Sequence, residues 1–366
     1  MCVKIGTKLR KYIELAKKVC KSFGYSRNIC YFCPHFYEVL LMEKVIKTRV
    51  VGVGLTVDET VYAIVDMRGN ILAKGDFVTT DFPDVNDFAT HLAECILNLA
   101  EENGGYDTIR SAGISVPSGN FKSACIEYPP NLPWKGQTPL AAMLRDRMGL
   151  AVALGNNCHV RALSEYVYGS AHGLQDFIYV NLGNGVGSCI FTNGKAYLGT
   201  NGFAGEIGHT CVEANGRLCG CGNLGCLESY AAVKGIMRTA RELLDKYSRP
   251  SLMRERDIRT PKDIFQCCED GDELAAMVFS ETGARLGIGL ATYASILNPE
   301  AIVVAGGIAH AGHWLMEPLS RSFEEHVFHN LKGRVKLLPS ILNEDERDVL
   351  GAGALAWSVK EYSLFI

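Results

Sequence analysis

"GHTCVEANGRLCGCGNLGCLE" runs from Gly208 to Glu228. One histidine, His209, precedes three closely spaced cysteines, Cys219, Cys221 and Cys226, and a fourth, Cys211, follows the histidine by two residues. Such a run is a redox site, a zinc site, or a cysteine-rich turn. Zinc takes four tetrahedral ligands drawn from thiolate and imidazole, and His209 with Cys219, Cys221 and Cys226 supplies four. That set leaves no position for an activated water, so the metal would be structural. Cys211 would face the same side as His209 in an extended segment, which keeps a four-cysteine alternative open. A redox role fits less well, because a zinc-bound thiolate is held and shielded.

The rest of the chain bounds the context of this loop. It has 366 residues, 48% hydrophobic and 21% charged, enough for a large buried core in one or two domains. The net charge of −3 offers no electrostatic attraction to nucleic acid or an anionic membrane. No apolar run reaches the length of about 18 residues that a membrane span needs. Fourteen cysteines are spread along a chain that needs no disulfide staples. With no signal-peptide pattern at the N-terminus, the expected setting is the reducing cytoplasm.

Residues 1–41 differ in character from the remainder of the chain. They are basic and carry "CYFCPH", with Cys30, Cys33 and His35 but no second half of a metal site nearby. From Arg49 the pattern becomes regular. "RVVGVGLTVDETVYAIVD" and "GNILAKGDF" read as three strands of a meander. Val85, Phe88, Leu92, Ile96 and Leu99 recur at helical spacing before Gly104 and Gly105. A strand ("IRSAGISVP"), a helix closed by Gly149 and a strand ("LAVALGN") come next. A second unit begins near Asn156 with a helix and a hairpin, "DFIYVNLGNGVGSCIFTNGKAYLG". Helices are expected from about 231 to 247 and 272 to 297, then the strand "AIVVAGGI" and a last helix, "GAGALAWSVKEY". Two halves of meander followed by α/β units give a two-domain α/β, ribonuclease H-like plan, as in actin, hexokinase and the Hsp70 ATPase. The expected division is a small domain of 42–155 plus 346–366, and a large domain of 156–345 with a cleft between them.

"GEIGH" and "CGCGNLGCLE", with "NLPWKG", "DFIYVNLGNGVGS", "NGFAGEIGH", "AIVVAGGIA" and "GAGALAW" in order, resemble the ROK family of sugar kinases and repressors, most of all its glucokinases. The resemblance spans about 42–360, and such kinases begin just before their first strand, which makes Met42 the expected start. It implies the same zinc set, His209, Cys219, Cys221 and Cys226, since relatives carry an apolar residue at the place of Cys211. It also implies sugar-hydroxyl contacts for Glu206, His209 and Glu228, for Asn156, and for Asn131 in "PPNLPWKG". A zinc ion on one ring nitrogen of His209 would leave the other for the cleft. Glucose is the default hexose, and a homodimer the implied assembly.

On the nucleotide side, Gly183, Gly185 and Gly187 are expected in a hairpin turn that resembles the family's second phosphate loop, where glycines let N–H groups approach phosphate. Gly306 and Gly307 match the loop that lies near adenosine. The first phosphate loop departs from the family. Relatives carry an Asp-x-Gly-x-Thr turn, whereas here Gly54 stands in the aspartate place, Thr56 and Val57 in the glycine places, and Asp58 in the threonine place. β-Branched residues suit a tight turn poorly, and an acid repels polyphosphate. ATP and Mg²⁺ are therefore doubtful ligands.

The second departure touches catalysis. Transfer to a sugar hydroxyl needs a group that takes its proton. The family uses the aspartate of an Asn-Asp pair; here Asn157 follows Asn156, and an amide accepts no proton at neutral pH. The small residues usual next in the family are replaced by "CHVRA". His159 is the substitute base to consider, but two residues along a helix it is turned to another face. The expectation is a sugar-binding or regulatory protein of weak or no kinase activity. A working hexose kinase is the alternative, and a ROK-type DNA-binding repressor the second; repressors usually carry a winged helix-turn-helix longer than 41 residues.

Overall fold

The computed structural model describes residues 47–359. Cys30, Cys33, His35, Met42 and the expectations attached to 1–41 lie outside the described residues.

The first meander forms as its alternating apolar residues require: β1 (Arg49–Leu55), β2 (Glu59–Asp66) and β3 (Ile71–Val78) pair antiparallel. α1 (Val85–Glu102) follows, its N-terminus capped by the Asp84 carboxylate, which accepts from the N–H groups of Asn86 and Asp87. β4 (Ile109–Val116) adds parallel to β1. α2 (Leu140–Met148) ends at Gly149, whose φ of 65° closes the helix in the left-handed region. β5 (Ala151–Asn156) then adds parallel to β4, completing a sheet of order β3-β2-β1-β4-β5.

α3 (Asn157–Tyr168) leads into a second sheet built the same way. β6 (Phe177–Leu182), β7 (Val186–Thr192) and the short β8 (Lys195–Ala196) form its meander. The cysteine-rich loop and helices α4 (Val233–Lys246), α5 (Pro261–Glu269) and α6 (Glu273–Leu297) come next. β9 (Ala301–Ala305), α7 (His313–His326) and β10 (Lys336–Pro339) complete the order β8-β7-β6-β9-β10. The repeated order, three antiparallel strands and then two parallel ones, is the expected duplication. Within the second hairpin, Gly183 and Gly185 lie in the turn, whereas Gly187 belongs to β7 and pairs with Asn181.

Each sheet has its own apolar core. Phe88, Leu92 and Ile96 of α1 pack with Val51, Val53 and Ile114. Leu286 and Leu290 of α6 and Phe323 of α7 pack with Ile178, Val180 and Ile302. The last helix, α8 (Glu344–Ser358), returns from the second sheet to the first. Its backbone lies against β1 and β4 at glycines: a β-carbon on Gly52 would fall 2.1 Å from the Val349 carbonyl, and one on Gly113 2.0 Å from that of Ala352. Any side chain at either place would force the helix off the sheet, so these two glycines are what lets α8 reach the end of β1.

Candidate functional site

A cleft of about 840 Å³ gathers residues expected at the sugar and residues expected at the nucleotide. Asn156, Asn157, Glu206, His209, Glu228, Gly183, Gly185, Gly187 and Gly307 all line it. Gly306, next to Gly307, takes φ 93° and lies against the backbone of Leu182. Asn131 is exposed in the segment between β4 and α2 and is not among the lining residues.

Asn156 and Asn157 sit where β5 turns into α3. Both side-chain oxygens accept from the N–H of Cys158, at 2.9 Å each, so the two amides cap the helix and are held at its positive end. Cys158 fills the gap beneath the glycine hairpin, since a β-carbon on Gly187 would fall 2.1 Å from its sulfur. Burial pushes the Cys158 thiol up to about 12, so it is neither a nucleophile nor a base at neutral pH. His159 is turned away as the helical spacing predicts. Its ring is not among those lining the cleft; burial lowers its pKa, only partly opposed by a hydrogen bond with the Ala204 backbone.

The cysteine-rich loop is a small hairpin. The Val212 N–H donates to the Gly225 carbonyl, Gly225 to Arg217, and Cys219 to Asn223. Gly225 has φ 75°, and a β-carbon there would strike the Glu213 carbonyl. The folding brings one donor atom from each of His209, Cys219, Cys221 and Cys226 within 4.8 Å of one another. The Cys219 sulfur is 3.7 Å from His209 Nδ1, and the Cys221 and Cys226 sulfurs are 3.7 Å apart. Tetrahedral zinc, with bonds of about 2.0–2.3 Å, sets its ligand atoms about 3.6–3.8 Å apart, so the donors fit that ion. Cys211 is exposed, pairs through its backbone with Cys226, and is outside the four-donor group.

The same loop is tied to the glycine hairpin. Glu228 accepts from the Val186 N–H at 3.0 Å, and Ser188 of β7 accepts from the Ile207 N–H while donating to the Gly205 carbonyl. Glu206, His209 and Glu228 all line this cleft. At the hairpin tip the N–H groups of Asn184 and Gly185 make no hydrogen bond within the described residues, and they line the cleft as donors suited to an anion.

The first turn, 54–58, plays no part in the wall. Thr56 closes it on itself, its N–H and hydroxyl both donating to the Glu59 carbonyl, and Asp58 is exposed. What occupies the end of β1 is a pair that sequence reasoning did not single out. Arg161 of α3 grips Asp348 of α8 with Nε at 2.9 Å from Oδ1 and Nη2 at 2.6 Å from Oδ2. Ser115 at the end of β4 donates to the same carboxylate at 2.7 Å. Burial works against the Arg161 charge, but the Asp348 carboxylate more than restores it, so the guanidinium stays fully protonated. Arg161 lines the cleft one helical turn from Asn157. Lys262, His310 and Glu344 complete the far end.

Known proteins share this plan. A family model described as ROK family matches residues 50–359. A glucokinase of Thermotoga maritima is 30% identical over 313 residues, 84% of this chain and 97% of that one. A xylose repressor of Caldicellulosiruptor bescii is 32% identical over 257 residues, 68% of this chain and 63% of the repressor. A ROK family glucokinase from Streptomyces griseus, solved in complex with glucose and AMPPNP, has a TM-score of 0.69 at 28% identity over 84% of this chain and 99% of that one. The fold is the actin- and hexokinase-like ATPase fold, and the chain belongs to the ROK family.

Proposed function

We propose that this chain is a hexose-binding, glucokinase-like protein with weak or absent phosphoryl transfer and a sugar-sensing or regulatory role. The observation that carries the reading is Asn157. It lines the cleft beside Asn156, Glu206, His209 and Glu228, so the sugar wall is furnished while the proton acceptor is an amide. Glucose is the hexose we take, in line with the glucokinases among its relatives and the glucose-bound ROK structure. Zinc on His209, Cys219, Cys221 and Cys226 is structural in this reading. With Nδ1 on the metal, His209 keeps Nε2 for a sugar hydroxyl. A cytoplasmic homodimer is the setting we infer from the family likeness.

The second reading is an active ATP-dependent hexose kinase. The free N–H groups of the Asn184–Gly185 tip favour it, because they suit a nucleotide phosphate. Two measurements separate the readings. Calorimetry with glucose is expected to show binding that Glu206→Gln and Glu228→Gln weaken. Coupled ADP release with ATP, magnesium and a hexose panel is expected to stay far below an ordinary kinase rate of about 10 s⁻¹. Turnover at that rate by the unmodified protein would overturn the first reading in favour of the second.

A further inference from the structure

The end of the cleft below the glycine hairpin has an unexpected electrostatic character. A divalent cation there needs carboxylate oxygens with free lone pairs. Gly54, next to the last residue of β1, has none, and the turn beyond the strand is closed on itself. The carboxylate that does stand there belongs to Asp348: a β-carbon on Gly54 would fall 2.8 Å from the Asp348 β-carbon, so the two positions share one space. Asp348 already accepts three hydrogen bonds, from Arg161 Nε and Ser115 on Oδ1 and from Arg161 Nη2 on Oδ2, and the guanidinium offsets its charge. The residues present do not fit a magnesium ion.

They fit an anion instead. The grip on Asp348 uses one edge of the Arg161 guanidinium. Nη1 makes no hydrogen bond within the described residues and is not among the buried unpartnered atoms, and Arg161 lines the cleft. A guanidinium anchored along one edge and open along another is a preorganised phosphate receptor, since its orientation is fixed before the ligand arrives. Asn157, one turn away, adds no negative charge to repel a phosphate.

We propose that Arg161, oriented by Asp348 and Ser115, takes over the anion-binding role of a divalent cation, so that the cleft holds a terminal phosphate group without metal. The inference rests on the hexose-binding reading for the sugar end of the same cleft. The phosphate comes from one of two sources, a hexose 6-phosphate or a nucleoside diphosphate, and the experiment distinguishes them.

The test is calorimetry on the full, zinc-containing chain with glucose, glucose 6-phosphate, ADP and inorganic phosphate, each with and without magnesium. The expected result is glucose 6-phosphate binding about tenfold or more tighter than glucose, unchanged by magnesium. Arg161→Met leaves Asp348 unpaired and risks misfolding, so Arg161→Met/Asp348→Asn is made beside it; there the preference for the phosphorylated sugar is expected to vanish while glucose affinity stays. Asp348→Asn alone leaves the Arg161 guanidinium without its orienting carboxylate and is expected to weaken the preference for the phosphorylated sugar; an unchanged preference would overturn the role given to Asp348. ADP binding that needs no magnesium and falls in the double variant, without preference for glucose 6-phosphate, assigns the phosphate to the nucleotide. Equal affinity for the two sugars with no metal-free binding of ADP or phosphate overturns the proposal and leaves hexose binding standing. Magnesium-dependent binding of any phosphate ligand also overturns it. Failure of both sugars to bind sinks the hexose reading instead; ADP and inorganic phosphate then decide the Arg161 proposal by the same double variant.

Discussion

Asn157→Asp restores a carboxylate at the N-terminus of α3, and its consequences can be worked through. The positive end of the helix favours a negative side chain there by about 0.3–1 kcal/mol, so the variant should fold and bind glucose as the parent does. A general base is worth about 10²–10⁴ in rate, or about 2.7–5.4 kcal/mol of barrier. From an ordinary kinase rate of about 10 s⁻¹, the amide alone would leave about 10⁻¹–10⁻³ s⁻¹. The phosphate end lowers this further, because Gly54 brings no carboxylate and Asp348 is held by Arg161. Asn157→Asp by itself is therefore expected to remain about tenfold or more below the ordinary rate. A combined variant, Gly54→Asp/Asn157→Asp/Arg161→Ala/Asp348→Gly, clears the space at the end of β1 and should exceed the single variant by about tenfold or more. Gly54→Asp without Asp348→Gly should not, because the two β-carbons would stand 2.8 Å apart. The assay is ADP release with ATP, magnesium and glucose, beside circular dichroism as a folding control. Full turnover by Asn157→Asp alone would refute the claim that the phosphate end is a second obstacle.

Other expectations are simpler to check. Purified protein should carry one zinc per chain by elemental analysis; His209→Ala and Cys219→Ser should lose it and melt at lower temperature, and Cys211→Ser should keep it. Retention by His209→Ala with loss in Cys211→Ser would instead indicate a four-cysteine site. Burial alone would raise the Asp272 carboxyl, but hydrogen bonds from the Ser251 hydroxyl and from the backbone N–H groups of Ala275, Met253 and Leu252 outweigh it and hold the pKa low. Its stabilising effect on α6 is thus present above the unfolded value of about 3.9 and lost as pH falls through the lower folded value. Asp272→Asn keeps a capping oxygen but loses the charge at the N-terminus of α6, so it should cost about 0.3–1 kcal/mol in urea unfolding at neutral pH, and the gap from the parent should close in acid. With its thiol near 12, Cys158 should be about 10⁻⁴ thiolate at pH 8 and resist iodoacetamide, while exposed Cys211 is alkylated, as peptide mass spectrometry would show.

Local chemistry made much of this molecule legible. The cysteine spacing announced the four-donor loop because His209, Cys219, Cys221 and Cys226 lie within one short stretch of chain. The periodicity of Phe88, Leu92 and Ile96 announced α1 because that stripe faces a single sheet. α5 has a readable start in Thr260-Pro261, with Asp263 completing a capping box. α7 gave no such signal, since it opens after Gly312 without a side-chain cap and carries Pro318 inside. Arg161 was within reach, four residues after Asn157 and so on the same helical face. Its partner was not: Asp348 arrives 187 residues later, and only the return of α8 onto β1 brings the two together.

That long-range pairing turns three separate oddities into one coupled change. A side chain at 54 and one at 348 compete for the same space, so an aspartate cannot return to β1 while Asp348 remains. Asp348 cannot leave alone either, because Arg161, with its side chain only 18% exposed, would lose its sole ion-pair partner among the described residues. Positions 54, 161 and 348 should therefore behave as a unit. In a double-mutant cycle followed by urea unfolding, Arg161→Met and Asp348→Asn should each destabilise the protein. The double variant should lose less than their sum, with a coupling of about 0.5–3 kcal/mol. Additive losses would mean that the two side chains merely touch, and that the positions do not behave as a unit.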